Sequence, residues 1–170
     1  TSCPLNYECV QACGPPVVRE DTPPEPYYCQ LKGYIRTCPI CLAKDTLVDT
    51  LTGKRAVQDL QKGDFVWTVT KSGKRVLGAL LEVSKTAVPS DHKIVNLVLG
   101  DGRTLLVSPG HPTTDGRTVG KLIAGDTYDG SRVVSAIRFA YDEGYTYDIL
   151  PSGETGFYFA GGILLDSTLH

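Results

Sequence analysis

Cys41-Leu-Ala-Lys-Asp-Thr-Leu-Val48 is the stretch around which the chain is organised. A cysteine opens it and a polar turn follows. Asp45-Thr46-Leu47-Val48 then starts an alternation of polar and apolar side chains that runs through Asp49 and Thr50. Period-two alternation places every second side chain on one face, and so predicts a half-buried strand. Before Cys41 the chain is rich in cysteine and proline; after it the pattern is that of a β domain. The sequence thus divides into a segment 1–40 and a domain 41–170.

Working outward from Val48, Leu51-Thr52-Gly53-Lys54 reads as a turn and Ala56–Leu60 as one short helical turn, stopped at Lys62-Gly63-Asp64. Strands are expected at Phe65–Val69, Val76–Val83, Lys93–Leu99 and Thr104–Val107. Lys71-Ser72-Gly73-Lys74 and Gly100-Asp101-Gly102 are the hairpin turns between them, and Pro89-Ser90-Asp91 is a break. Further strands are expected at Val133–Ile137, Thr146–Leu150, Gly156–Ala160 and Ile163–Leu165. Helical periodicity is nowhere sustained, so the fold class is all-β, with many short strands joined by Gly/Asp turns. Val57, Leu60, Gly63 and Asp64 recur as Val119, Leu122, Gly125 and Asp126. Two copies of one unit predict pseudo-two-fold symmetry, since a solenoid needs about three or more repeats.

Hydrophobic residues make up 41% of the 170, enough for a core. The net charge of −2 gives no basic footprint, which argues against a nucleic-acid partner. No apolar run reaches the ~18 residues of a membrane span. All six cysteines, Cys3, Cys9, Cys13, Cys29, Cys38 and Cys41, fall in the first 41 residues, with seven of the eleven prolines. A segment this small needs staples, so Cys3, Cys9, Cys13 and Cys29 are disulfide candidates and an extracytoplasmic site is expected: secreted, periplasmic or at the cell surface. Six cysteines allow about 15 pairings and the sequence does not choose. Thr1-Ser2-Cys3 also fits the end of a bacterial lipidation site, which would add a lipid anchor. Cys9-x3-Cys13 and Cys38-x2-Cys41 have zinc-like spacing, but no histidine lies among them, and no metal or cofactor is assigned. Cys38-Pro39-Ile40-Cys41 also invites a thioredoxin reading, which the β pattern after it opposes.

Four stretches in order resemble the Hint superfamily, the autoprocessing domains of hedgehog proteins and the inteins. They are Cys41–Val48, Leu60–Val66 with its Gly-Asp, Ser108-Pro109-Gly110-His111, and Thr146-Tyr147-Asp148-Ile149 through Phe159–Leu165. With its cysteine segment in front, the chain resembles bacterial secreted or lipoprotein-like Hint proteins. The resemblance implies a horseshoe-like β fold with pseudo-two-fold symmetry, and an N-to-S acyl shift in which Cys41 attacks the Ile40 carbonyl. Thiols are effective nucleophiles even when mostly protonated, which suits cysteine to that step. The same resemblance casts His111 as the general acid for the leaving Cys41 amide nitrogen and Ser108 as a hydrogen-bond partner of the scissile peptide. Asp148 becomes the group that steers the thiol proton. The thioester at Ile40 then passes to water, a small thiol or an amine, with the chain's own N-terminal segment as substrate in cis.

The pattern departs from the family at its end. Asp166-Ser167 stands where inteins have His-Asn, and serine has no side-chain amide to cyclise, so cleavage without full splicing is expected. Lys85 falls at the position of the hedgehog aspartate that assists sterol transfer, which disfavours a sterol acceptor. The rival reading is a non-catalytic, disulfide-stabilised binding or structural module. In it Cys38 pairs with Cys41 and locks the thiol.

Overall fold

The structure, a computed structural model, describes residues 40–170 and the backbone of two strands in the segment before them. Those strands, β1 (Tyr7–Gln11) and β2 (Tyr27–Leu31), pair antiparallel with Cys9 opposite Cys29. Cys3, Cys13 and Cys38, and with them the proposed lock on Cys41, lie outside the described residues. The chain divides into compact units at Thr1–Cys38 and Pro39–His170.

The second unit is all-β. Among the described residues it carries no α-helix, only two 3₁₀ turns at Val57–Asp59 and Val119–Lys121. It opens with β3 (Leu42–Ala43), β4 (Leu47–Thr50) and β5 (Gly53–Ala56), followed by β6 (Phe65–Val69), β7 (Arg75–Ala87), β8 (Lys93–Leu99) and β9 (Thr104–Val107). After these come β10 (Thr127–Tyr128), β11 (Ser131–Ala140), β12 (Tyr145–Pro151), β13 (Tyr158–Ala160) and β14 (Ile163–Leu165). They form one hydrogen-bonded path, β10-β11-β8-β9-β3-β12-β7-β6-β4-β13-β14, with β5 beside β4. The short β3 therefore sits mid-path, hydrogen-bonded to β9 on one side and β12 on the other.

The internal repeat is visible bond by bond. Leu60 N–H donates to Val57 O, and Leu122 N–H to Val119 O. Asp64 Oδ2 accepts from Gln61 N–H at 2.9 Å, and Asp126 Oδ2 from Ile123 N–H at 3.0 Å. Gly63 and Gly125 follow at φ 88° and 97°, where a Cβ would be strained, and each donates its N–H to the next long strand. Both aspartates are thus turn residues that close a loop on its own backbone.

Several elements differ from the sequence expectation: β3 and β10 are additional, β11 extends beyond Val133–Ile137 at both ends, and β13 starts at Tyr158 rather than Gly156. The turn expected over Leu51–Lys54 is tighter, and β5 fills its second half as a hairpin with β4. β7 runs to Ala87 and not to Val83, because Ser84, Lys85 and Thr86 pair with Asp148, Tyr147 and Thr146 of β12. Cross-strand pairing there outweighs the loss of apolar alternation.

Two buried clusters hold the unit together, a small one around Ala43, Ile94 and Tyr141 and a large one. The large one includes Leu42, Val48, Val66, Leu80, Leu97 and Val107 from the first strands, and Ile149, Tyr158, Ile163 and Leu165 from the last. Each fully buried aliphatic side chain contributes about 1.5–3 kcal/mol. Leu42, with no exposure, anchors β3 and fixes the residue before it at the centre of the domain.

Candidate active site

Cys41 precedes β3 and is 5% exposed. Its partners are set by the turn after β3. Asp45 takes the left-handed conformation at φ 67°, which aspartate tolerates, and exchanges two hydrogen bonds with Gln58. That turn sends the chain off to β4 and leaves Cys41 at the sheet centre. The thiol is free. Burial, and then the charge of Asp148, push its pKa up to about 11, against the pull of the Thr146 hydroxyl, the Ile40 backbone and the Thr86 hydroxyl. Removing a charged sulfur from water is costly, so the resting group is a neutral thiol.

The Ser108-Pro109-Gly110-His111 loop folds over the bond before Cys41. Ser108 N–H donates to Cys41 O at 2.9 Å, and His111 N–H to Ser108 O at 3.1 Å. Gly110 lies under Ile40, so close that a Cβ there would come within 2.5 Å of Ile40 Cγ2. His111, wholly buried, then places Nδ1 2.8 Å from Ile40 O. Its Nε2 lies 2.8 Å from Asp166 O and 3.2 Å from the Tyr158 hydroxyl. Carbonyl oxygens only accept, so a ring proton on Nδ1 is donated to Ile40 O and one on Nε2 to Asp166 O.

Asp148, on β12, is fully buried and fully served. Oδ1 accepts from the Tyr158 hydroxyl at 2.6 Å and from Ile149 N–H at 2.8 Å. Oδ2 accepts from Thr168 N–H at 2.8 Å and from the Thr168 hydroxyl. Four donors on a carboxylate hold it in place and account for its burial. Burial and the Asp148 charge hold Tyr158 well above the usual phenol range, so it stays a neutral donor. A chain of hydrogen bonds therefore runs from Ile40 O through His111 and Tyr158 to Asp148.

All four residues expected from the sequence meet here, but two contacts differ from expectation. His111 faces the carbonyl oxygen of the scissile bond rather than its nitrogen. The Ser108 hydroxyl does not reach the scissile peptide; it lies 3.0 Å from His92 Nε2, and the contact to Cys41 is made by the Ser108 backbone. Burial lowers the pKa of His92, which favours the neutral ring. His92, Tyr158, Gly110 and Thr168 were not legible as site residues, whereas Asp166-Ser167 stood out at the place of the family's closing pair. Of the four missed, only Gly110, inside the Ser-x-x-His loop, carried a local signal. Among the described residues no group of three or more His, Cys, Asp or Glu side chains is arranged to hold a metal ion.

A free cysteine at the head of a β domain, with a histidine on the carbonyl before it, defines the class of self-processing Hint folds. The chain belongs to the Hint domain family, whose profile matches residues 40–127, just over half of it. Among solved structures it is similar to a bacterial intein-like domain from Clostridium thermocellum. The two share 19% identity with a TM-score of 0.66, over 76% of this chain and 99% of that one. The DnaB intein from Synechocystis sp. PCC 6803 matches at 16% identity and a TM-score of 0.66, with the same coverage. The gp41-1 intein matches at 25% identity and 0.57, over 75% of this chain and 98% of that one. No curated protein is significantly similar to the chain.

Proposed function

We propose that the domain cleaves its own chain once, at Ile40–Cys41, through a thioester that water or another nucleophile resolves, without full splicing. The observation that carries this is the 2.8 Å approach of His111 Nδ1 to Ile40 O. A donor aimed at that oxygen stabilises the oxyanion that forms when Cys41 Sγ attacks the carbonyl carbon. Ser108 N–H holds the leaving residue by its own carbonyl. Collapse breaks the C–N bond as the Cys41 nitrogen takes a proton, a role that the family resemblance gives to His111. Hydrolysis would leave residues 1–40 with a free carboxylate and residues 41–170 with Cys41 as a new N-terminus. Sterol is a disfavoured acceptor, given Lys85. The cysteine-dense segment 1–40 supports an extracytoplasmic setting.

The high pKa of the buried thiol and the Asp166-Ser167 end favour a second reading, a non-catalytic secreted module that keeps the fold. Intact mass over time, with hydroxylamine or a small thiol present, separates the two. Nucleophile-dependent fragments 1–40 and 41–170, absent in Cys41→Ala, are expected. One unchanging mass under all conditions would leave the second reading.

A further inference from the structure

Three strands bring one polar face to Cys41. In the β12–β7 pairing Asp148 lies opposite Ser84, and Thr146 opposite Thr86. In the β12–β3 pairing Thr146 lies opposite Ala43 and Tyr147 opposite Leu42. One step further along that register sets Asp148 beside Cys41. Side chains at directly opposed positions share a face, so Cys41, Asp148 and Ser84 form one row and Ala43, Thr146 and Thr86 the next.

Asp148 is tied to Tyr158 and Thr168, but the hydroxyl next to it is not tied to anything. Thr146 has no exposure, and its Oγ1 has no hydrogen-bond partner among the described residues. A buried hydroxyl left unpaired costs about 1–3 kcal/mol, and valine would fit a strand interior without that cost. By register it shares a face with Cys41, whose sulfur is the nucleophile of that face. Thr146 and Thr86 are both donors toward that sulfur once it is charged, opposing the effects of burial and of Asp148. Thr146 Oγ1 is thus an unengaged donor on the face that carries the Cys41 sulfur.

We propose that Thr146 and Thr86 are catalytic residues of the self-cleavage, whose hydroxyls hold the Cys41 sulfur in its anionic form. This rests on the cleavage reading above. In the forward step the thiol proton passes to a solvent base, Sγ bonds to the Ile40 carbonyl carbon, and the C–N bond breaks. The Cys41 nitrogen takes up a proton to become an amine. In hydrolysis a water oxygen bonds to the same carbon, the C–S bond breaks, and sulfur leaves as thiolate between the two hydroxyls. The hydroxyls therefore act twice, on the attacking and on the departing sulfur.

The test uses the full chain with Thr146→Val, Thr86→Val and Thr146→Ser. Alkylation of Cys41 by iodoacetamide, read on the Cys41 peptide by mass spectrometry across pH, reports ionisation without requiring cleavage. Hydroxylamine-dependent release of 1–40 reports cleavage. Thr146→Val should move the alkylation midpoint to higher pH and slow release at pH 8 by about tenfold. Thr146→Ser should restore both, and Thr86→Val, on a half-exposed position, should show the same direction if Thr146→Val does not fold. A folded Thr146→Val or Thr86→Val with an unmoved midpoint, or a serine variant that behaves like valine, overturns the assignment. Wild-type chain that releases no fragment overturns the cleavage reading and the catalytic role with it, whatever the midpoints do.

Discussion

Ile40 packs onto the bare Cα of Gly110, and that contact sets the carbonyl of the scissile bond against His111. A Cβ at position 110 would sit 2.5 Å from Ile40 Cγ2, well inside van der Waals contact. Gly110→Ala should therefore displace Ile40 without unfolding the domain. A displacement of about 1 Å in a reacting group can cost about 10²-fold in rate, and a loss of that order in nucleophile-dependent release is expected. Ile40→Ala removes the colliding Cγ2 atom, so the double variant should recover most of the rate. Failure of that rescue would show that Gly110 acts on something other than Ile40.

His111 lies between two carbonyls, with Nδ1 2.8 Å from Ile40 O and Nε2 2.8 Å from Asp166 O. Its removal should thus have two separable effects. His111→Ala deletes the donor to the developing oxyanion, and release of 1–40 should fall by about 10²–10³-fold. The same change frees the Asp166 carbonyl, so amide exchange in the last five residues should quicken. Faster exchange with an unchanged cleavage rate would leave His111 as a clamp on the tail alone.

The fold was more legible than the site, for a physical reason. Strand alternation and Gly-Asp turns are local signals, so Phe65–Val69, Lys93–Leu99 and Thr104–Val107 read correctly to the residue. The repeat around Gly63 and Gly125 was equally plain, because positive φ and an Asx turn each demand a particular residue type. The end of β7 was not, since Ser84 and Thr86 extend the strand only by pairing with β12. Site contacts depend on such register. Tyr158 reaches Asp148 from β13, a strand that does not pair with β12, and His92 comes to Ser108 across sixteen residues. The Ser-x-x-His loop named its histidine correctly, but not which atom of the peptide that histidine would face.

Ionisation of Cys41 should limit thioester formation over the whole ordinary pH range. The thiol pKa stands at about 11, raised mainly by burial. Below that value the thiolate fraction rises about tenfold per pH unit. Alkylation of Cys41 at pH 8 should accordingly be slower than that of a free cysteine, whose pKa is near ~8.5. Hydroxylamine-dependent release should climb steadily from pH 7 to pH 10 with no plateau. A plateau near pH 8.5 would mean that the sulfur is wetter than its 5% exposure implies.

Asp148 opposes Cys41 ionisation while it organises the rest of the site, and Asp148→Asn separates those roles. The carboxylate is the second cause of the raised thiol pKa, after burial. Replacing it with a neutral amide removes that repulsion, so the alkylation midpoint of Cys41 should move to lower pH. The amide nitrogen, however, must face donors that the carboxylate accepted: the Tyr158 hydroxyl and Ile149 N–H on one side, or Thr168 N–H and its hydroxyl on the other. At least one buried group then loses its partner, at a cost of about 1–3 kcal/mol in unfolding free energy. The expected variant is less stable in urea yet has a more acidic thiol. A destabilised variant with an unmoved midpoint would show that burial alone sets the thiol, and that the Asp148 charge is spent entirely on its four donors.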